Sequence, residues 1–323
     1  MRFNGWLSRV ISVASCSIIF GSLSGCITPA MRYQSKPIVV QTVPFFTQKK
    51  VAPHPIPSWQ GDWAFRRWRF EEINATFFEV KPDLLIAQEV MQRADSPYES
   101  DQAILTSSSL AGYTWSVAPV DKNMLTAEEE SAAVAFSYPF QLRVGAPPPA
   151  IWKVGGGYLA GFILEFQQEP LAVFSWFQDQ AGWSHNTFDP LLPLVQAFLQ
   201  QNKICASHVL MGGVFAQGIY DPSYQNFLQA LGLRDASEGF CEQETLCYTH
   251  TSANKMYKTL FGESIPKRGV RILVPKNAQV FRSERNFTEP GSIRSYNERY
   301  GLGETWATLY AGWVTEIQLP SCE

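Results

Sequence analysis

Charge is scarce in this sequence. Only 17% of its 323 residues are Asp, Glu, Lys or Arg, and the formal net charge is −3. So little charge beside 46% hydrophobic residues excludes a disordered chain or a coiled coil and fits a globular core. A surface built for a polyanion normally carries a basic excess, and none exists here, so no nucleic-acid partner is expected. Histidine is scarcer still: the four are His54, His185, His208 and His250. The N-terminal apolar run, VISVASCSIIFGSL, is about 14 residues, short of the roughly 20 a membrane-spanning helix needs. The cysteines show no His/Cys spacing of a metal site. There is no dividing linker and no internal repeat.

Aromatic side chains are plentiful, with ten Trp and 22 Phe. They imply a large aromatic core or, alternatively, an apolar, lipid-facing surface. The first residues read as a signal peptide, with arginines in MRFNGWLSR, the apolar run, and a small-residue close at Leu23 to Cys26. LSGC resembles the bacterial lipobox, which implies cleavage before Cys26 and acylation of its thiol. Ile27, not Asp, follows, so by that resemblance the outer membrane is the expected address. The expected organisation is a signal peptide over 1–25, a tether carrying lipidated Cys26 over 26–37, and a domain over 38–323. Export leaves Cys205, Cys241, Cys247 and Cys322, an even number in an oxidising compartment. FCEQETLCY brings Cys241 and Cys247 within reach around one loop, leaving Cys205 with Cys322.

Period-two and β-branched runs predict strands at IVVQTVPFF, LLIAQEV, YTWSVAPV, AAVAFSYPF, GYLAGFILEF, LAVFSWF, HVLMG, GVRILVP and WVTEIQL. Helical spacing predicts helices over 62–79, over 190–202 behind Asp189 and Pro190, and after Asp221-Pro222, with Gly232 as terminator. The RRWRF cluster reads as a solvated helix face. Many strands with interspersed helices imply one α/β or α+β domain on packed sheets.

PDLLIAQEV, SAAVAFSYPF, LAVFSWFQ, LMGGVFA and LGLRDA occur in the order seen in the endonuclease/exonuclease/phosphatase superfamily, which the chain resembles. YTHTSANKMYK, KRGVRILVPKNAQ and WFQDQ resemble its bacterial sphingomyelinase branch. The resemblance implies an α+β four-layer sandwich: two mixed β-sheets face to face with helices outside, and a site at one end. It also implies metal-dependent phosphodiester hydrolysis. A Glu holds the divalent cation, an Asp and an Asn orient water and phosphate, and two His move or donate protons.

Residue by residue, this chain departs from that pattern. Glu89 matches the metal-binding Glu, and Asn254 matches a site residue as a possible ligand contact. Pro44 stands where the first strand brings an Asn, Trp176 where a His is expected, and Gly213 and Phe215 replace the Asp and Asn. His250 occupies an acidic position, Val270 replaces another Asp, and no Ser-Asp-His triplet precedes the last strand. General acid–base catalysis is worth about 10²–10⁴ in rate and one preorganised electrostatic group about 10²–10³. Losing these together predicts a non-catalytic binding or interaction module whose polar cleft has become aromatic-lined, needing no cofactor. Its expected partners are the membrane, through the anchor, and a lipid or protein ligand. The alternative is a divergent phosphodiesterase of sphingomyelinase, phospholipase C or nuclease type, using Mg²⁺ or another divalent cation on Glu89 with His250 or His185.

Overall fold

The computed structural model describes residues 36–45, 70–93, 100–123, 128–154, 157–178, 188–215, 218–241, 247–249, 269–287 and 311–322. The chain separates into two units, Met1–Gln34 and Ser35–Glu323, and the first lies wholly outside the described residues. So do Cys26, the expected helix start at 62–69, His54, His185, His250 and Asn254.

Among the described residues, thirteen strands form two sheets. One has the order β12 (Gln279–Asn286), β13 (Gly312–Gln318), β1 (Ile38–Pro44), β2 (Leu84–Arg93), β4 (Glu128–Phe136), β3 (Thr114–Asn123). The other runs β10 (Leu233–Asp235), β11 (Val270–Pro275), β9 (Val209–Val214), β8 (Glu169–Gln178), β7 (Gly157–Phe166), β5 (Phe140–Leu142), and β6 (Ala150–Val154) also pairs with β7. Both sheets are mixed, because β1–β2 and β8–β9 are parallel pairs among antiparallel ones.

Period-two alternation sorts the side chains into three layers. Ile38, Val40, Leu84, Ile86, Phe162, Val173, Leu210, Ile272 and Trp313 fill the space between the sheets. Leu85, Ala87 and Val43 pack outward against Phe70, Ile73 and Phe77 of α1, a helix over 70–80. Phe174, Trp176, Val209 and Met211 pack outward against α3 (Leu191–Gln201) and α4 (Pro222–Leu231). A short α2 (Asp101–Thr106) begins at Ser100, whose hydroxyl accepts from the Ala103 amide. The layers are therefore helix, sheet, sheet, helix, as expected of the sandwich.

The helix ends match the sequence signals at α4 and differ at α3. Asp221 caps α4 by accepting from the Ser223 and Tyr224 amides, and Gly232, at φ 65°, ends it in the left-handed conformation. At α3 the N-cap is Pro190, without a side-chain hydrogen bond, rather than Asp189. Among the described residues, no helix is long and apolar enough to cross a membrane.

Candidate functional site

The parallel pairs β1–β2 and β8–β9 point toward the same end of the sandwich. There Pro44 lies opposite Gln88, Trp176 opposite Gly213, and Val270 opposite Val214. The structure thus places Pro44, Glu89, Trp176, Gly213, Phe215 and Val270 at this end of the sandwich. Thr249, just before His250, is tied to the same end, its Oγ1 accepting from the Gly269 and Val270 amides at 2.9 and 2.8 Å.

Gly213 sits where the two strands β8 and β9 approach closely. Its φ is +153°, and a Cβ built there would sit 1.8 Å from the carbonyl oxygen of Trp176 and 2.7 Å from the carbonyl carbon. Both are backbone atoms of the neighbouring strand, so no rotamer change relieves the overlap. The strand requires glycine here, and an Asp at this position has no room for its first carbon.

Trp176 and Phe215 do not line a cleft. Alternation along β8 sends Ser175 inward and Trp176 outward, beneath the helices, where Trp176 is fully buried. Its ring lies 5.9 Å from Phe188, which stacks on Phe215 at 6.2 Å, and Phe215 meets Tyr224 of α4 edge-on at 5.9 Å. Arg271 is on this outer face too, its guanidinium 4.7 Å from the Tyr224 ring centroid and 5.5 Å from that of Phe215. The expected aromatic-lined cleft is corrected accordingly: these aromatics anchor α4 to the sheet. Val270 is buried in the opposite layer, between the sheets.

Glu89 is retained, fully buried, on a β-bulge. Ala87 pairs with Ala133 and Val90 with Ser131, so Gln88 and Glu89 together face one residue of β4. The bulge places Glu89 at φ 53° and sends its amide to the Tyr158 hydroxyl at 2.9 Å. Burial pushes the Tyr158 phenol well above its ordinary value, and the nearby carboxylates Glu130 and Glu89 push it further. Tyr158 therefore stays protonated as a neutral neighbour of Glu89. Sequence reasoning missed it because β7 carries no motif signal there.

Gln88, overlooked beside Glu89 in the QE pair, spans the two sheets. Its amide nitrogen lies 3.1 Å from Thr42 Oγ1 on β1, 3.1 Å from Ser175 Oγ on β8 and 3.4 Å from the Gly212 carbonyl on β9. Thr42 and Ser175 in turn donate to the Ile86 and Ala87 carbonyls, each at 3.0 Å. Gln88, Thr42 and Ser175 thus satisfy one another across the sandwich.

Among the described residues, no group of three or more His, Cys, Asp or Glu side chains gathers around Glu89 to hold the divalent cation the resemblance implies. A cation of this type needs an oxygen-rich cage with one or two carboxylates and substrate phosphate. Among the described residues, the set of His, Cys, Asp or Glu with ligand atoms within 4.8 Å of one another is Cys205, His208 and Cys322, which excludes Glu89. Two of those three are consumed in a disulfide, Cys205–Cys322, with Cα atoms 6.0 Å apart. Cys241–Cys247 forms the second, at 5.8 Å, so both expected pairs are present. His208 sits at the opposite end of the sandwich, its Nδ1 and Nε2 lying 3.3 and 3.1 Å from the Pro170 and Pro320 carbonyls.

No family model and no curated protein sequence matches the chain. Solved structures do. An endonuclease/exonuclease/phosphatase family protein from Bacteroides thetaiotaomicron aligns at TM-score 0.60 and 14% identity over 90% of this chain and 100% of that one. The human Nocturnin catalytic domain with bound sulfate anion aligns at TM-score 0.59 and 16% identity, covering 88% and 94%. D. rerio TDP2 complexed with single strand DNA product aligns at TM-score 0.56 and 12% identity, covering 88% and 100%. The last corrects the expectation of no nucleic-acid partner. Net charge is a whole-chain sum, whereas a strand of DNA meets only one local surface, and a protein of this fold holds one. The two mixed sheets, their parallel central pairs and their flanking helices are the fold of the endonuclease/exonuclease/phosphatase proteins.

Proposed function

We propose that this chain is a non-catalytic module of phosphodiesterase fold, exported and carried at the bacterial envelope by a lipid on Cys26. Gly213 carries the proposal. A backbone that admits no Cβ where the fold's acid would stand cannot orient water or phosphate there, and Trp176 and Phe215 have joined the outer core. YTHTSANKMYK and KRGVRILVPKNAQ assign the scaffold to a sphingomyelinase-like branch. Envelope placement rests on the arginine-led apolar run and LSGC, with the outer membrane as the address.

Purified mature protein with Mg²⁺, Mn²⁺ or Ca²⁺ is expected to leave sphingomyelin, bis(p-nitrophenyl) phosphate and single-stranded DNA uncleaved. Turnover that Glu89→Gln abolishes would overturn the proposal.

One observation favours an alternative: Glu89 remains a buried carboxylate on a left-handed bulge at the site end, a costly arrangement to keep. The chain would then be a divergent divalent-metal-dependent phosphodiesterase with His250 or His185 as proton carrier. Because the D. rerio TDP2 complex holds a DNA product, single-stranded DNA is the first substrate to try. A metal-dependent thermal shift lost in Glu89→Gln distinguishes this alternative even without turnover.

A further inference from the structure

Apolar side chains are exposed at the end of the sandwich opposite Glu89. Tyr138 is 91% exposed, Val144 97% and Leu142 53%, all in the segment that leaves β4 and forms edge strand β5. Hydrogen bonds locate them. Phe136 pairs with Leu84, Leu84 with Val40, the Ser137 amide donates to the Asp83 carbonyl, and the Asp83 amide to the Val39 carbonyl. Tyr138 therefore flanks the start of β1, where the chain enters the domain. On the same side, Phe140 pairs with Phe166, and Leu142 follows two residues up the sheet edge.

Basic groups accompany these side chains. Arg143 donates to the Asn202 carbonyl at the end of α3, which places exposed Lys203 beside it. Exposed Lys36 immediately precedes β1. Acidic side chains share this end: Glu169 at the start of β8, Glu165 bonded to Gln141, and Asp83 and Glu316 beside the start of β1. Isolated exposed apolar residues are ordinary. Exposed Tyr, Leu and Val on one segment, with Lys and Arg among the charged groups around them and the entry of the tether adjoining, match the amphipathic pattern of a bilayer-facing surface.

Chain length decides the occupant. Between Cys26 and Ile38 lie eleven residues, which span at most about 40 Å when fully extended. A lipid on Cys26 holds the start of β1 within that distance of the bilayer, so whatever surface adjoins β1 meets lipid repeatedly. Resting on the lipoprotein assignment, we propose that Tyr138, Leu142 and Val144 dock on the surface of the bilayer that holds the anchor. Lys36, Arg143 and Lys203 meet its anionic headgroups. The Glu89 end then faces away from that bilayer, toward soluble or distant partners, and the domain has one orientation instead of tumbling on its tether.

The chain itself supplies the probe. Tyr138 and Tyr220 are both exposed, at 91% and 84%, and Tyr220 follows β9 at the Glu89 end. The acylated full-length protein is reconstituted into vesicles of phosphatidylethanolamine and phosphatidylglycerol. It is then iodinated by lactoperoxidase with iodide and hydrogen peroxide, an enzyme confined to water, and the two tyrosine peptides are quantified by mass spectrometry. Docking predicts several-fold slower iodination of Tyr138 than of Tyr220 on vesicles. It also predicts that Leu142→Ser with Val144→Ser restores Tyr138 iodination while Tyr220, the internal fold control, stays unchanged. Protein that floats with the vesicles but is iodinated equally at both tyrosines overturns the docking and leaves the anchor intact. Protein whose Cys26 peptide lacks acyl mass and which does not float overturns the anchor, and the docking with it.

Discussion

Replacing Gly213 with Ala tests whether the site end is closed to an acid. The new Cβ would lie 1.8 Å from the Trp176 carbonyl oxygen, 2.7 Å from its carbonyl carbon and 2.9 Å from its amide nitrogen. Ordinary contact begins near 3.4 Å, so β8 and β9 must separate by well over an ångström at a rung where both are buried. A φ of +153° adds strain for any side chain. Backbone strain of this type costs about 1–3 kcal/mol and overpacking a core about 1–3 kcal/mol, so Gly213→Ala is expected to lose about 2–6 kcal/mol. Gly218→Ala, where nothing lies within 4 Å and φ is not positive, serves as the control and is expected to change stability by less than about 0.5 kcal/mol. Equilibrium urea unfolding of both variants measures the difference. Gly213→Asp adds an unpaired buried charge and is expected to fall below Gly213→Ala, without gaining hydrolysis. Should Gly213→Ala unfold alongside Gly218→Ala, the strand can relax, and the case for a closed position fails.

Other perturbations follow from the same geometry. Gln88→Leu removes the amide that bridges Thr42, Ser175 and Gly212, and urea unfolding should show a loss of about 1–3 kcal/mol. Because Thr42 and Ser175 keep their backbone acceptors, a loss well beyond that range would reveal further partners. Cys205 and Cys322 close a span of 117 residues, against 6 for Cys241 and Cys247. On chain entropy, serine replacement of the long pair should cost about 2.6 kcal/mol more than of the short pair, an ordering that calorimetry checks. Burial lowers the His208 pKa below its ordinary 6.5, outweighing the raising influence of the Pro170 and Pro320 carbonyls and of Glu169. The folded state thus prefers the neutral ring, so its contribution is present above pH 6.5 and declines as the pH falls below it. His208→Asn should flatten that part of the stability-versus-pH curve, and an unchanged slope would refute the assignment.

Strand positions along the central pairs were legible because period-two alternation and β-branched runs are local signals. IVVQTVP, LLIAQEV and HVLMG became β1, β2 and β9, with His208 forming a short 3-10 turn just ahead of β9. Helix α4 was equally readable, since Asp221, Pro222 and Gly232 cap it through bonds within a few residues. Edge elements β5, β6 and β12 were not, because edge strands need no apolar run to be recruited by a neighbour's open hydrogen bonds. At the site, the residues alone say which side-chain types stand at the positions the resemblance marks. Which way Trp176 and Phe215 face, the clash that makes Gly213 obligatory, and the Gln88 bridge depend on strand register. A bulge at Gln88 and Glu89 shifts that register by one residue, and no local pattern announces it. The sequence by itself determined which atoms are available for chemistry, since side-chain type is written in it directly. Only the tertiary structure decided where those atoms point, because that depends on pairings between distant segments, 46 to 124 residues apart at Gln88.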